Sequence, residues 1–515
     1  MWNLEAESEK KTSHSTATQW NLVFQYATIA LSLISGFILF PLNLRFIPIG
    51  LFGAWLASGN ILLWLTIFEP GIGEIIQQRI AVAFGARDTN SLTNLISLNI
   101  TVSLIIGSCF IIAGLTAASF IPSWLDVTSP NDAKQLEKAF AISVVGTGLL
   151  LCGYGIAGGN LALMRTLSQG IVNTLAGIAS LFVQIFLLFT GFGLLAIAYG
   201  IVARALILFA GNGLILWRAM RAEEVPVSLS FRVSRGMFKD LSFTAVARIS
   251  NIIANNLDSI VVSKVLGNEL VPVLRATRSP LDMSRWILER PAYALSPALS
   301  SLKGKNHMER VRFQLLRLAR FVIWGVVGFA VLFWMFNKDI IRLWVGEGLF
   351  AGHTVNLLLC ALFIVAVVTL NLKYVCLALG DVRAKNIMEF SQALSILPLV
   401  VLGGLYFGLP GVILAAILSN IWIAGWYMPR SFSRLVSLTI KDKLSIYKEM
   451  VNAFLAALFA ATTVFWFNPR SVFQIALVIV TFTTCFIFFL SILSLHLRTE
   501  LLDIKKRFYS IACGT

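Results

Sequence analysis

The chain has 515 residues, of which 57% are hydrophobic and only 13% charged, with a net charge of +16. Its mean hydropathy is +0.82; a soluble domain of this size has too little interior for that much apolar surface, so the solvent must be lipid. The cysteines and histidines are scattered singly, five of the six cysteines inside apolar runs, which excludes a disulfide frame, a zinc site or haem ligation.

In chain order, residues 1–21 form a polar tail with no apolar core or small-residue cleavage site of a signal peptide. Fourteen segments then each suffice to cross a hydrocarbon core of about 30 Å. They are 22–44, 51–69, 92–119, 139–160, 170–190, 194–216 and 241–267, then 270–300, 314–336, 353–379, 387–407, 410–430, 447–467 and 472–496. The loops and tails on one side carry 27 Lys and Arg, those on the other only six. The positive-inside rule therefore puts both termini in the cytoplasm. The positive charge reads as topology and headgroup attraction, with no nucleic-acid partner.

The eighth segment is the doubtful one. By hydropathy 270–300 is a loop, yet without it every later basic loop would fall outside the cell, so parity requires it to cross.

Eight of the 41 cations then lie at membrane depth: Arg204, Arg248, Lys264, Arg275, Arg278, Arg285, Arg290 and Lys373. A cation at a helix centre costs about 2.5–3.5 kcal/mol on insertion scales, so these need a wet cavity or partners. Arg275, Arg278, Asp282, Arg285 and Glu289 recur at steps of three and four and draw one stripe on a helix. Arg248, Asn251, Asn255 and Asp258 draw another on the seventh span. Pro272, Pro280, Pro291 and Pro297 are expected to bend or break the eighth helix. A structural salt-bridge network would leave these charges balanced. Six basic against three acidic groups on the two spans leave a cationic surplus, which suits an anion such as phosphate. Lys264, near the outer end, can snorkel; Arg204 and Lys373 stand alone on their spans, divided between cavity lining and interfacial anchoring.

Several stretches resemble a known family. Glu69-Pro-Gly-Ile-Gly-Glu-Ile-Ile-Gln-Gln-Arg-Ile-Ala-Val-Ala-Phe-Gly-Ala-Arg-Asp88 resembles the cytoplasmic loop of the polysaccharide transporters, the lipid-linked oligosaccharide flippases of the multidrug/oligosaccharidyl-lipid/polysaccharide (MOP) exporter superfamily. Asn255-Asn-Leu-Asp-Ser-Ile-Val-Val-Ser-Lys-Val-Leu-Gly267 is similar to the start of that family's second half. Pro297-Ala-Leu-Ser300, Ile341-Arg-Leu-Trp-Val-Gly346, Ala378-Leu-Gly-Asp-Val-Arg383 and Phe407-Gly-Leu-Pro-Gly411 follow in order. The family's Tyr-rich opening of the eighth span is here Leu270-Val-Pro-Val-Leu-Arg-Ala-Thr-Arg278.

The resemblance implies an all-α polytopic membrane protein with two pseudo-symmetric six-helix bundles in a V, 22–217 and 241–430, joined by a cytoplasmic linker, 218–240. Two further helices within 431–497 and a cytoplasmic tail, 498–515, complete it. It implies a flippase of the bacterial inner membrane that carries undecaprenyl-diphosphate-linked sugar to the outer leaflet, beside membrane lipids and a polysaccharide polymerase. Arg248, Arg275, Arg278, Arg285 and Arg290 would bind the anion, with Asn251, Asn255, Asp258, Asp282 and Glu289 tuning the charge, and Arg204 and Lys373 as further candidates. No catalytic residue, metal or cofactor is expected; sodium or proton coupling is left open. One rival is a multidrug or small-molecule antiporter of the same superfamily. The other is a membrane glycosyltransferase or polysaccharide ligase, which would need an acidic motif on a sizeable outer loop. The longest such loop, 120–138, is short.

Overall fold

The computed structural model describes residues 14–65, 72–222, 250, 257–304, 306–424, 427–436, 438–467 and 469–499. Among them the only regular secondary structure is helix, as lipid requires of a chain that does not close a barrel. The helices are α1 His14–Phe46, α2 Ile49–Leu65, α3 Ile72–Ala86, α4 Thr89–Ala118, α5 Ile121–Trp124, α6 Pro130–Ala162, α7 Thr166–Phe189 and α8 Leu195–Ala222. Then follow α9 Asp258–Leu266, α10 Leu270–Gly304, α11 Met308–Val345, α12 His353–Ala378, α13 Val382–Ala424, α14 Tyr427–Leu435, α15 Ile440–Val464 and α16 Val472–Leu493. Ten helices are long and apolar enough to cross a membrane, and α2 is a shorter apolar one. The expected outer loop 120–138 is largely helical: α5 occupies part of it, and α6 starts at Pro130 behind a Ser129 cap.

The described chain divides into two compact units, Met1–Pro272 and Val273–Thr515. In the first, small residues set helix contacts and so fix helix direction. A side chain at Gly170 or Gly177 of α7 would strike Phe24 or Leu31 of α1. The residue numbers rise together, so the first and fifth spans run parallel. Gly107 of α4 meets Gly148 of α6, and Gly155 of α6 meets Ser103. Here the numbers run oppositely, and the third and fourth spans are antiparallel. Without a hydrophobic drive between helices in lipid, such close backbone approach is the main source of packing energy. The loop segment matched to the flippase family forms α3, whose Ile76, Ile80 and Ala83 are buried against α4 and α6 residues. Asp88 closes that loop as the N-cap of α4, accepting from the Ser91 N–H at 3.0 Å.

In the second unit, α13 contains the eleventh and twelfth spans folded back on each other. Gly408, with φ 63° and ψ −146°, breaks the helix. A Cβ on Gly411 would lie 2.0 Å from the Gly403 carbonyl oxygen, a contact that only a hairpin brings about. The segment held by parity is α10, an unbroken helix of 35 residues despite its four prolines. Leu288 rests on Gly325 of α11, while Thr277 meets Asn337, so these two helices are antiparallel. Asn371 and Ala378 of α12 meet Leu288 and Ser300 of α10 in rising order, so those two are parallel. Both α11 and α12 are among the ten apolar helices; α10 lies along them for several turns.

Candidate functional site

Amphipathic spacing gives α10 three faces. Leu274, Thr277, Leu281, Ser284 and Leu288, at steps of three and four, are buried, Thr277 meeting Asn337 and Leu288 meeting Gly325 of α11. Each is followed by one polar residue: Arg275, Arg278, Asp282, Arg285 and Glu289. At about 100° per residue this polar stripe lies a quarter-turn and slightly more round the helix from the packed face. On the opposite flank Ile287 is more than half exposed, at 54%.

Pairing within the stripe is local. Arg278 donates from Nε to Asp282 Oδ1 at 3.1 Å, with side chains 23% and 28% exposed. Arg285 pairs with Glu289 about two turns further along the helix, at 23% and 15% exposure. Both pairs run base before acid along the helix, the weaker order against the helix dipole, so they add little to helix stability. They neutralise the two acids. Arg275 and Arg290 are exposed and have no carboxylate within salt-bridge distance among the described residues. The stripe thus keeps a net positive charge, and Arg275 and Arg278 lie about 4.5 Å apart along the axis.

A polar network invisible in the sequence pattern fixes the N-terminal part of this stripe. Asn337 of α11 donates from Nδ2 to the Thr277 carbonyl at 2.9 Å and to Asn356 Oδ1 at 2.7 Å. Asn356 donates in turn to the Phe333 carbonyl at 3.1 Å. The Thr277 hydroxyl accepts from the Ala351 N–H at 3.0 Å. Thr277 lies between Arg275 and Arg278, so these bonds set the rotation of α10 at that turn. Asn337 sits at the end of an apolar run before Lys338-Asp339, where it reads as a loop residue.

The remaining sequence candidates divide. Arg248, Asn251 and Asn255 lie outside the described residues. Asp258 opens α9 half-buried, its Oδ1 accepting from the Ser259 N–H at 2.8 Å, and belongs to the first unit. Arg204 is half-buried on α8, its Nε buried without a hydrogen-bond partner among the described residues. Lys373 is buried in α12, 6% exposed, and partnered. Lys264 does not snorkel alone: it pairs with Asp126 at 2.6 Å. Three buried acids escaped the sequence reading, among them Asp442 of α15, which pairs with Arg312 of α11 at 2.5 Å. Glu389 of α13 is partnered. Glu449 of α15 accepts from Trp324 Nε1 at 3.0 Å. Among the described residues no three His, Cys, Asp or Glu side chains gather to hold a metal.

No protein-family model and no curated protein matches the chain. Solved structures do. The lipid II flippase MurJ, in an inward closed conformation, aligns with a TM-score of 0.65 over 92% of this chain and 98% of its own, at 15% identity. A MOP-superfamily transporter from Pyrococcus furiosus aligns at 0.59 over 82% and 95%, also at 15% identity. An outward-facing multidrug resistance MATE transporter aligns at 0.58 over 83% and 97%, at 17% identity. At this level of identity the likeness is one of fold, and the chain accordingly has the all-α membrane fold of the MOP-superfamily transporters.

Proposed function

We propose that the protein is a flippase that moves a polyprenyl-diphosphate-linked oligosaccharide from the cytoplasmic to the outer leaflet for surface-polysaccharide assembly. The observation that carries this reading is the α10 stripe, which keeps a positive surplus after Asp282 and Glu289 have been matched. A diphosphate cannot cross bare lipid, because stripping its hydration is too costly. Guanidinium groups replace that hydration bidentately while the polyprenyl chain stays in the bilayer. Arg275 and Arg278 are the primary anion ligands, and Arg285 and Arg290 extend the field along the path. No bond is made or broken; alternating access carries the head group across. The excess of Lys and Arg in the loops on one side supports the same reading, with both termini on the cytoplasmic side of the membrane.

A second reading, a multidrug antiporter, draws support from the MATE likeness. Its cationic cargo would need carboxylates, and the α10 stripe offers arginines. The Pyrococcus furiosus transporter, described as having a binding pocket of reverse polarity suggesting a different function, is a precedent for the fold with another cargo. The test is a strain lacking this protein, complemented with Arg275→Ala/Arg278→Ala. Loss of surface polysaccharide, with lipid-linked units accumulating on the cytoplasmic side, is the expected result. Normal polysaccharide from well-expressed variant protein overturns the proposal.

A further inference from the structure

A second feature lies on the other flank of α10. A groove of about 740 Å³ runs between α10, α11, α16 and the residues His496 and Leu497 just after it. Its walls are apolar: Pro291 and Leu295 from α10, Phe321 and Leu332 from α11, Phe482 and Leu490 from α16. Its floor is set back by two glycines on one face of α11. A Cβ on Gly325 would lie 2.3 Å from Leu288, and one on Gly328 3.0 Å from the Phe486 ring. Leu288 and Phe486 therefore lie down onto α11 and leave the space above them open.

The groove's basic lining, among the described residues, is all at one end. Arg317 and Arg320, in the early turns of α11, and His496, just past α16, line it with Gln314. Among the described residues no carboxylate does. Helix α11 has 38 residues, about 57 Å at 1.5 Å per residue, nearly twice the hydrocarbon thickness. Its basic first turns therefore stand in the headgroup layer, on the side that loop charge assigns to the cytoplasm. From Arg317 to Leu332 the groove covers about 22 Å of helix axis, one leaflet's hydrocarbon and its headgroup layer.

We infer that this groove binds one anionic phospholipid of the surrounding cytoplasmic leaflet, with an acyl chain along the apolar walls and the phosphate at Arg317, Arg320 and His496. The length matches a single-leaflet lipid. The basic mouth matches the leaflet whose surface potential is negative, and basic pockets between helices on that side are where anionic headgroups settle. The bound lipid braces the apolar flank of α10, the helix whose other flank carries the arginine stripe. This site does not depend on the identity of the cargo.

The experiment is native mass spectrometry of the full-length protein in mild detergent, with phosphatidylglycerol and phosphatidylcholine added in equal amounts. The wild type is expected to retain a single phosphatidylglycerol in preference to phosphatidylcholine. Arg317→Gln/Arg320→Gln is expected to lose about 30-fold in retention, at about 1 kcal/mol per basic residue near the surface. Thr483→Trp, which fills the groove from an exposed position, is expected to lower retention without touching the charges, and serves if the arginine variant fails to fold. Equal retention of both lipids by the wild type overturns the inference, as does full retention by both variants. So does preference for an added polyprenyl phosphate over phosphatidylglycerol, which would give the groove to the cargo's tail. The Arg275→Ala/Arg278→Ala outcome is read separately, because those residues lie on the opposite flank.

Discussion

Asn337 of α11 donates its side-chain amide to the main-chain carbonyl of Thr277 in α10 at 2.9 Å, between the two arginines at the N-terminal part of the stripe. A helix carbonyl that already serves its own ladder here takes a second donor from a neighbouring helix. That bond fixes how α10 is turned about its axis, and with it where Arg275 and Arg278 point. Replacing Asn337 by Leu removes the donor and leaves Asn356 Oδ1 buried without it. The expected loss is about 1–3 kcal/mol of stability per unsatisfied group, read as a lower melting temperature in detergent. Complementation should fall further than melting alone predicts.

The Arg285–Glu289 pair separates a charge role from a structural one. If the pair only steadies α10 itself, removing either partner is equally harmful. If the stripe serves an anion, Glu289→Gln leaves Arg285 free and the path more positive, whereas Arg285→Gln leaves an acid on it. Glu289→Gln is expected to keep most polysaccharide output, and Arg285→Gln to lose most of it, at matched expression. Equal loss in both would point to structure alone.

The hairpin within α13 depends on glycine. Gly408 occupies a conformation at φ 63° and ψ −146° that side chains scarcely reach. The Gly403–Gly411 crossing admits no Cβ, as one on Gly411 would lie 2.0 Å from a carbonyl oxygen. Gly411→Val is expected to cost more than the ~1–3 kcal/mol of ordinary overpacking, because backbone is the obstacle. Loss of folded protein on size-exclusion chromatography is the measurement.

Asp88 gives a pH signature. The Ser91 hydroxyl and N–H hold its carboxyl below the usual carboxylate range. A group whose pKa is depressed by folding stabilises above its unfolded value and loses that contribution as pH falls through the folded one. The melting-temperature gap between wild type and Asp88→Ala should therefore be present near neutral pH and close below the ordinary carboxylate range, about pH 4.

Much of this molecule was readable from the chain alone. Lipid imposes a length of about 20 apolar residues on each crossing and forbids unsatisfied backbone, so composition already determined an all-helical membrane protein. Loop charge led to the expectation that 270–300 crosses where hydropathy reads a loop, and the structure forms α10 there, lying along α11 and α12. The 3–4 spacing placed the α10 charges on one face because helix period alone governs that. Tertiary structure decided what local period cannot reach. Side-chain rotamers decided that each acid pairs with the arginine four residues before it, while Arg275 and Arg290 have no carboxylate within salt-bridge distance among the described residues. Asn337, far away in sequence, reaches Thr277 only because α11 packs antiparallel to α10. The prolines did not break α10, because a helix packed by α11 and α12 tolerates lost backbone bonds that an isolated one would not. The lipid-sized groove exists only where three distant segments meet around two glycines, a juxtaposition that no window of sequence contains.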